Sequence, residues 1–410
     1  MLSECVAQRL KSQAATVTLL ERTRAFARVV IRIESSALRF DMTQSMFQTN
    51  ARSFGGLQIM SVQSSAQAPA LSSAQRHKTL AKSLASSLAC TSLLGIALAS
   101  SVASADAPKQ RLNPLIGLIE QGKPAMGLYA PSNRRPGGSS ADVPRKTPAE
   151  LARETVAYRL SDFVFDGSME YDYEQSLPVF AAYAKALGAE KKHLATRPFR
   201  HIAYPMIVKI HEIAPDPELA AKRIGEQLDL GVSGIMFVGV ESPEEVKRGL
   251  AAMRYPSQGG TRADSVGSAA RYWGLSAKEY RKKADVWPLN PQGELINWVV
   301  VESKEGLKNV REIAAVEGIG VLWPGAGTLR RVFSTTDADG KRVVDEAAWE
   351  GAIQQVLSAC KEFKVTCGIP TSPDQIEKRM SQGFSVFVMN WGDDGFKTIE
   401  VGRKAAGRAL

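Results

Sequence analysis

Eight short runs that are apolar almost throughout, amphipathic stretches with recurring helix caps between them, and roughly 300 residues to hold both predict an α/β fold, a closed (β/α)8 TIM barrel. The runs are AMGLYAP (125–131), DFVFDG (162–167), YPMIVKIH (204–211), GIMFVGV (234–240), INWVVVE (296–302), GIGVLWPG (318–325), KVTCGIP (364–370) and FSVFVMN (384–390). A strand covered on both faces must be hydrophobic on both, and parallel sheets demand that covering.

Helix starts between the runs are marked by TPAE at Thr147, DPEL at Asp216, SPEE at Ser242 and SPDQ at Ser372. Each supplies an oxygen-bearing cap and then Pro at the first helical position, where its missing N–H costs nothing. Three of them also place Glu or Gln three residues after the cap. An open, doubly wound sheet is the competing architecture, but neither GxGxxG nor GxxxxGK[ST] follows the first run. Two long connections interrupt the alternation: the polar loop 134–146 after the first run, and an insertion over 255–295 before the fifth. Both are expected at the active face or rim of the barrel, since loops this long are commonly functional.

The net charge of +10 on 410 residues invites a nucleic-acid reading until it is located. Residues 1–105 carry a balance of +7, which leaves +3 for the remainder. The barrel region is therefore nearly neutral and has no basic stripe interleaved with aromatics, so nucleic acid is not an expected partner.

Ahead of the barrel, Arg76, His77, Lys78 and Lys82 precede an uncharged Ala/Leu/Ser-rich run from Ser83 to Ser104 that ends Ala103-Ser104-Ala105. That order of basic, apolar and small residues is a secretory signal peptide, expected over 60–105 with cleavage after Ala105. The mature protein is then periplasmic or secreted and has no membrane partner. Met60 makes a better start for such a signal than Met1, so residues 1–59 are expected to be a disordered arm or a non-native upstream extension. Of the four cysteines, Cys5 and Cys90 fall in that N-terminal portion. Cys360 and Cys367 remain, read as two buried thiols in preference to the disulfide that an oxidising compartment would permit.

The segment DLGVSGIMFVGVESPEEVKRGLAAMRYPSQGGTR (229–262) resembles the HpcH/HpaI aldolase and citrate lyase family, in which a Gly-Ile-Met strand, a charged helix and an Arg-Tyr-Pro loop follow in that order. The likeness continues through AARYWGL (269–275), VVVESKEGLKNVREIAAVEGIGVLWPGAGTL (299–329) and the last apolar run. It implies a (β/α)8 enzyme that makes or breaks a carbon–carbon bond beside a 2-oxo acid such as pyruvate, and a homo-oligomer. It also implies a divalent metal, Mg or Mn, on a Glu after the fifth strand and an Asp after the sixth, there to stabilise an enolate.

The chain departs from that pattern at its chemical positions. The Glu carries over to Glu302, but where the family has Gly-Pro-x-Asp-Leu this sequence reads Gly325-Ala326-Gly327-Thr328-Leu329, with a hydroxyl in place of the acid. Two-carboxylate coordination is lost, leaving Glu302 as the candidate metal ligand and the backbone N–H groups of Gly325, Ala326, Gly327 and Thr328 as a candidate carboxylate cradle. The family's base follows the second strand in an Asp-x-Glu-His setting. Here DGSMEYDYE puts Met169 or Glu170 nearest that place. The family's substrate-binding Arg after the third strand becomes Lys209, which keeps the charge without the bidentate fork.

In a barrel all strand ends meet at one mouth. Lys209, His211, Glu212, Asp166, Glu170, Glu302, Asn390, Asp393 and Asp394 are therefore expected there. His211 is a candidate relocated base or metal ligand, Glu170 a candidate acid–base group, and Lys209 a candidate anion binder or Schiff-base amine. Tyr272, Trp273, Trp323 and Trp391 either line an aromatic pocket or pack in the core. The leading functional expectation is an exported carbon–carbon lyase acting on a small 2-oxo or hydroxy acid. A barrel that binds such acids without turnover, and a barrel hydrolase or isomerase, stand as alternatives.

Overall fold

Every one of the eight apolar runs forms a strand; seven strands are a little shorter than their runs, and the fifth is as long as its run but begins one residue earlier, at Leu295. The computed structural model describes residues 110–133, 144–190 and 202–410. The expected upstream extension, the signal peptide, Cys5, Cys90 and most of the loop 134–146 lie outside the described residues. Among those described, no helix is long and apolar enough to cross a membrane.

The strands are β1 (Ala125–Tyr129), β2 (Val164–Asp166), β3 (Met206–Lys209), β4 (Gly234–Phe237), β5 (Leu295–Val301), β6 (Val321–Pro324), β7 (Thr366–Pro370) and β8 (Val386–Met389). Each pairs in parallel with its neighbours in sequence, and β1 pairs with β8 in the register Ala125↔Val386, which closes the cylinder. Outside it stand a two-residue strand, Val286–Trp287, added at the start of β5, and an antiparallel hairpin of Ser334–Thr336 with Arg342–Val344.

Side chains on a strand alternate between faces, so the runs feed two cores. Phe163, Phe165, Ile207, Met236, Trp298, Val300, Val321, Trp323 and Val388 fill the inside of the barrel. Their outward neighbours, such as Val164, Val208, Phe237, Val299 and Phe387, pack under the helices. Trp298 sits at the centre, stacked on Trp323 at 5.4 Å and meeting the Phe163 ring edge-on at 5.4 Å. Room for these rings comes from missing side chains: a Cβ on Gly127 would lie 2.2 Å from the Phe163 ring, and one on Gly368 2.4 Å from Trp323. Each fully buried Phe contributes about 1.5–3 kcal/mol to stability.

The end of the barrel where the strands begin is closed by the helix Pro114–Glu120, whose Leu115 and Ile116 are wholly buried in the inner core. Its cap Asn113 receives the Leu115 N–H and itself donates its backbone N–H to Glu294 Oε2 at 2.9 Å. Burial pushes the Glu294 carboxyl above its ordinary range, although the Asn113 N–H and Arg111 beside it work in the opposite sense.

Three of the four cap motifs act as their residues require. Thr147 forms a capping box with Glu150, while Asp216 and Ser242 each accept an N–H from the third residue of their helix. Ser372 does not. Its hydroxyl bonds to Asp374 Oδ1 at 2.6 Å, and the helix begins at Ile376 after a tight turn on the Ser372 carbonyl.

The insertion corrects a second expectation, because it packs at the barrel's opposite end from the mouth. Arg262 donates to Asp229 and Tyr280 to the Leu228 carbonyl, both acceptors lying at the C-terminal end of the helix Pro217–Asp229, where the chain returns to the start of β4. A connection from helix to strand must lie on that side of a barrel, so its length brings it no nearer the strands' C-terminal ends. Cys360 and Cys367 also differ from the expectation of two thiols. They form a disulfide between the end of the helix Glu346–Phe363 and the start of β7, with Cα atoms 5.7 Å apart. That separation lies in the range a bridge needs, which spacing along the chain does not reveal.

Candidate active site

Alternation along the strands decides which polar groups reach the mouth. Lys209 stands two residues beyond inward-facing Ile207, Glu302 two beyond Val300, and Gly325 two beyond Trp323. Each therefore continues an inward row at its C-terminal end. Two connected hollows result. An inner chamber of about 210 Å³ is lined by Tyr129, Phe165, Lys209, Trp323 and the turn Gly325–Thr328, and an outer cleft of about 620 Å³ by Glu170, Tyr171, His211, Glu212, Glu302 and Arg331 among others. Glu302 and Thr328 belong to both walls. Burial pushes the Tyr129 phenol up to about 12, with the Glu170 and Asp166 charges adding to the effect, so the chamber wall carries a protonated hydroxyl at neutral pH.

Glu170 organises the β2–β3 side. It lies on the short 3-10 turn Ser168–Glu170, which rotates Met169 into the core, fully buried, and Glu170 toward the opening. Of the two residues nearest the family's base position, Glu170 faces the cleft and Met169 does not. Lys209 Nζ donates to Glu170 Oε2 at 2.8 Å, both side chains being largely buried. Gln227 holds the Lys209 carbonyl at 3.2 Å from behind. His211 Nδ1 lies 3.0 Å from the Glu170 carbonyl oxygen. A carbonyl can only accept, so Nδ1 carries the proton and Nε2 of a neutral His211 is left as a base.

Across the mouth, Glu302 Oε1 accepts the Gly239 N–H at 3.1 Å, and a Cβ on Gly325 would fall 2.6 Å from Glu302 Oε2. No Lys, Arg or His among the described residues pairs with this carboxylate. Thr328, in the place where the family pattern has its Asp, accepts a hydrogen bond from Arg331 Nη2 at 3.2 Å. A guanidinium thus stands beside the position where a second carboxylate would face a metal. These donors do not fit a divalent ion held in the family's manner: one carboxylate already engages a backbone N–H, its partner is a neutral hydroxyl, and a fixed positive charge adjoins that hydroxyl. Among the described residues no three His, Cys, Asp or Glu side chains gather so as to hold a metal.

The expected cradle at the glycine turn is one donor short, since the Gly325 N–H is taken by the Val301 carbonyl at 2.9 Å. No side chain caps the helix Ala326–Val332, and the backbone of Ala326, Gly327 and Thr328 lines the inner chamber.

Other residues expected at the mouth serve elsewhere. Asp166 Oδ1 caps its own turn through the Ser168 N–H at 2.8 Å, and Asn390, Asp393 and Asp394 line neither hollow. Tyr272 and Trp273 are buried, with Tyr272 donating to the Tyr204 carbonyl and Trp273 to that of Gly231, so both are core residues. Trp391 packs on Phe396, which leaves Trp323 alone of the four at the chamber. Two residues of the cleft escaped the sequence reading. Arg331 lies one helical turn from the altered acid position, a spacing visible in the sequence. Tyr171 follows Glu170 directly and is 78% exposed.

The family model of HpcH/HpaI aldolase/citrate lyase matches residues 184–400, more than half of the chain. A hydroxypyruvate/pyruvate aldolase of Deinococcus radiodurans is 31% identical over 159 residues, covering 39% of this chain and 53% of that protein. A 4-hydroxy-2-oxo-heptane-1,7-dioate aldolase of Shigella flexneri is 24% identical over 191 residues, 45% of this chain and 67% of that protein. The chain thus spans about half to two thirds of the length of these curated relatives. In fold it resembles the crystal structure of a family protein from Burkholderia cenocepacia, with a TM-score of 0.51 and 20% identity over 72% of this chain and 98% of that one. Barrel, strand order and the match to the family model together show that the chain belongs to the HpcH/HpaI aldolase/citrate lyase family.

Proposed function

We propose that this protein is a carbon–carbon lyase of the aldolase type, acting on a small 2-oxo acid that carries a hydroxyl on the carbon to be released. The observation that carries the reading is the convergence of Lys209, Glu170 and His211 from one side of the mouth with Glu302, Thr328 and Arg331 from the other. Both relatives described above bear the names of aldolases of oxo acids, which supports the substrate class.

On this reading the acid's carboxylate enters the inner chamber, against the first-turn N–H groups of Ala326–Thr328 and the Lys209 ammonium. His211 Nε2 takes the hydroxyl proton, the carbon–carbon bond breaks, and its electron pair passes into the enolate of the 2-oxo acid. Negative charge that develops on the enolate oxygen is met by the Lys209 and Arg331 cations and by the protonated Tyr129 hydroxyl. Glu170 holds the Lys209 side chain in place, and Glu302 bounds the space in which the reacting carbons lie.

Export belongs to the same proposal. The Cys360–Cys367 disulfide is the chemistry of an oxidising compartment and supports it.

The test is retro-aldol cleavage by the full chain of a set of 4-hydroxy-2-oxo acids, with released pyruvate measured in a coupled assay. Release that His211→Ala and Lys209→Ala each abolish is the expected result. Binding of these acids without release of either fragment overturns the lyase and leaves a binding protein.

A further inference from the structure

Breaking the carbon–carbon bond leaves an enolate whose carbon must gain a proton, and the cleavage step assigns no donor. Of the side chains that line the inner chamber, Tyr129, Lys209, Trp323 and Thr328 carry a proton on nitrogen or oxygen. An indole N–H and an aliphatic hydroxyl are far weaker acids than a phenol or an ammonium. Lys209 is paired with Glu170 at 2.8 Å, and giving up its proton would leave that sheltered carboxylate facing a neutral amine. His211 lines the outer cleft and not the chamber, so the proton it collects stays on the aldehyde side. We infer that Tyr129 donates the proton to the enolate carbon. The inference rests on the aldolase reading and adds a named acid for its second half.

The strand aims the ring. Along β1, Met126 and Leu128 pack outward under the helices while Ala125 and Tyr129 join the inner core, so Tyr129 ends an inward row as Lys209 does on β3. Beside it in register is Phe165, whose ring it meets edge-on at 4.8 Å. Two residues further on, Gly167 leaves a gap. A Cβ there would lie 3.5 Å from Tyr129 Cε1, the ring carbon next to the one that bears the hydroxyl, and 3.4 Å from Lys209 Cδ. The hydroxyl end of Tyr129 and the stem of Lys209 therefore share the space over Gly167, on the wall of the chamber that both line. Among the described residues no hydrogen bond holds this hydroxyl. A sheltered phenol ordinarily has a partner, and what this one faces is the chamber. Burial, and then the Glu170 and Asp166 charges, push it up to about 12, so it still holds its proton when the enolate forms.

His211 Nε2 takes the substrate's hydroxyl proton as the bond breaks, and the electron pair of that bond passes into the enolate. Oxygen and nucleophilic carbon are two ends of one short unit, so a hydroxyl that meets the charge on the first is near enough to protonate the second. The O–H bond of Tyr129 breaks, a C–H bond forms, and the enolate carbon becomes the methyl group of the 2-oxo acid. An enolate carbon is a stronger base than a phenolate, so the transfer runs downhill. The tyrosinate, beside the Lys209 ammonium, recovers a proton from water, and His211 returns its own to water. No proton is gained or lost over the cycle.

Tyr129→Phe in the full-length protein removes one oxygen and keeps the ring against Phe165. The fold loses no hydrogen bond, so the melting temperature is expected to stay that of the wild type. In D2O the wild type exchanges the methyl protons of pyruvate for deuterium by the reverse of the donation step, followed by proton NMR. The variant is expected to exchange at least about 100-fold more slowly, with a Kd for pyruvate close to that of the wild type, while its single-turnover release of aldehyde from a 4-hydroxy-2-oxo acid falls by a much smaller factor. Exchange by Tyr129→Phe at the wild-type rate overturns the inference while the aldolase reading stands. So does loss of pyruvate binding in step with exchange, which makes Tyr129 a binding contact only, and so does an equal fall in aldehyde release and exchange, which confines it to the enolate oxygen. A wild type that cleaves hydroxy-oxo acids without exchanging pyruvate also overturns it, because the enolate then takes its proton from water. A wild type that does neither removes the aldolase reading and this inference with it.

Discussion

Lys209 Nζ, at the end of β3, lies 2.8 Å from Glu170 Oε2 on the turn after β2, and the two side chains retain only 20% and 12% of their exposure. A pair this sheltered is costly to halve, because the remaining charge loses its partner without regaining water. Lys209→Met and Glu170→Gln should each lower stability, while the double variant loses less than the sum. The coupling expected from a thermodynamic cycle is about 1–3 kcal/mol. Simple additivity in urea unfolding of the four proteins would show that the contact carries no stability.

The guanidinium beside Thr328 leads to a prediction about metals. If Arg331 supplies positive charge at the mouth, dialysis of the enzyme against a chelator leaves its turnover unchanged, whereas Arg331→Ala lowers kcat by about 10- to 100-fold. Added salt should depress the wild-type rate more than that of the variant, since Arg331 is exposed and its field is screened. Activity lost on chelation and restored by Mg or Mn would refute the arrangement.

Much of this site could be read before any coordinates, and the reason is the two-residue period of the strands. Once INWVVVE is recognised as a strand with Val300 inside, Glu302 must face the mouth, and the same logic places Lys209 after Ile207. What the period cannot reach is the chain beyond a strand's end. Whether Met169 or Glu170 faced the opening depended on a single 3-10 turn, and with it the position of Tyr171. The Cys360–Cys367 bridge depended on the approach of a helix end to a strand start, and the side on which residues 255–295 pack followed from connectivity that loop length does not encode. The role of Ser372 was decided by competition from Asp374 two residues on, a local contest that a cap motif does not settle.

Gly325 fixes the position of Glu302. An added Cβ would meet Glu302 Cβ at 2.4 Å and Oε2 at 2.6 Å, while the Gly325 N–H holds the Val301 carbonyl of the same strand. Neither partner can move far, because Glu302 also accepts the Gly239 N–H. Gly325→Ala should therefore displace the carboxylate, cost about 1–3 kcal/mol of stability, and reduce turnover at least tenfold. An alanine variant with full activity would show that Glu302 need not hold its place.

Acid sensitivity offers a check on the helices that pack outside the barrel. Glu350, on the helix Glu346–Phe363, receives both terminal nitrogens of Arg379, at 2.6 and 2.8 Å, and the amide of Gln354 at 2.8 Å. The Arg379 hydrogen bonds, opposed in part by burial, hold this carboxyl below its ordinary value of 4.5. Below 4.5 the unfolded chain therefore takes up a proton that the folded chain refuses. The stability from this pair is complete above that value and is lost as the pH falls through the depressed value of the folded state. Glu350→Gln keeps the shape and removes the charge. It should be less stable than wild type by about 1 kcal/mol at neutral pH, and the difference in melting temperature should shrink steadily as the pH is lowered from 5 toward 3. A difference that stays constant over that range would mean that the fork bound to Arg379 does not depend on the carboxylate charge.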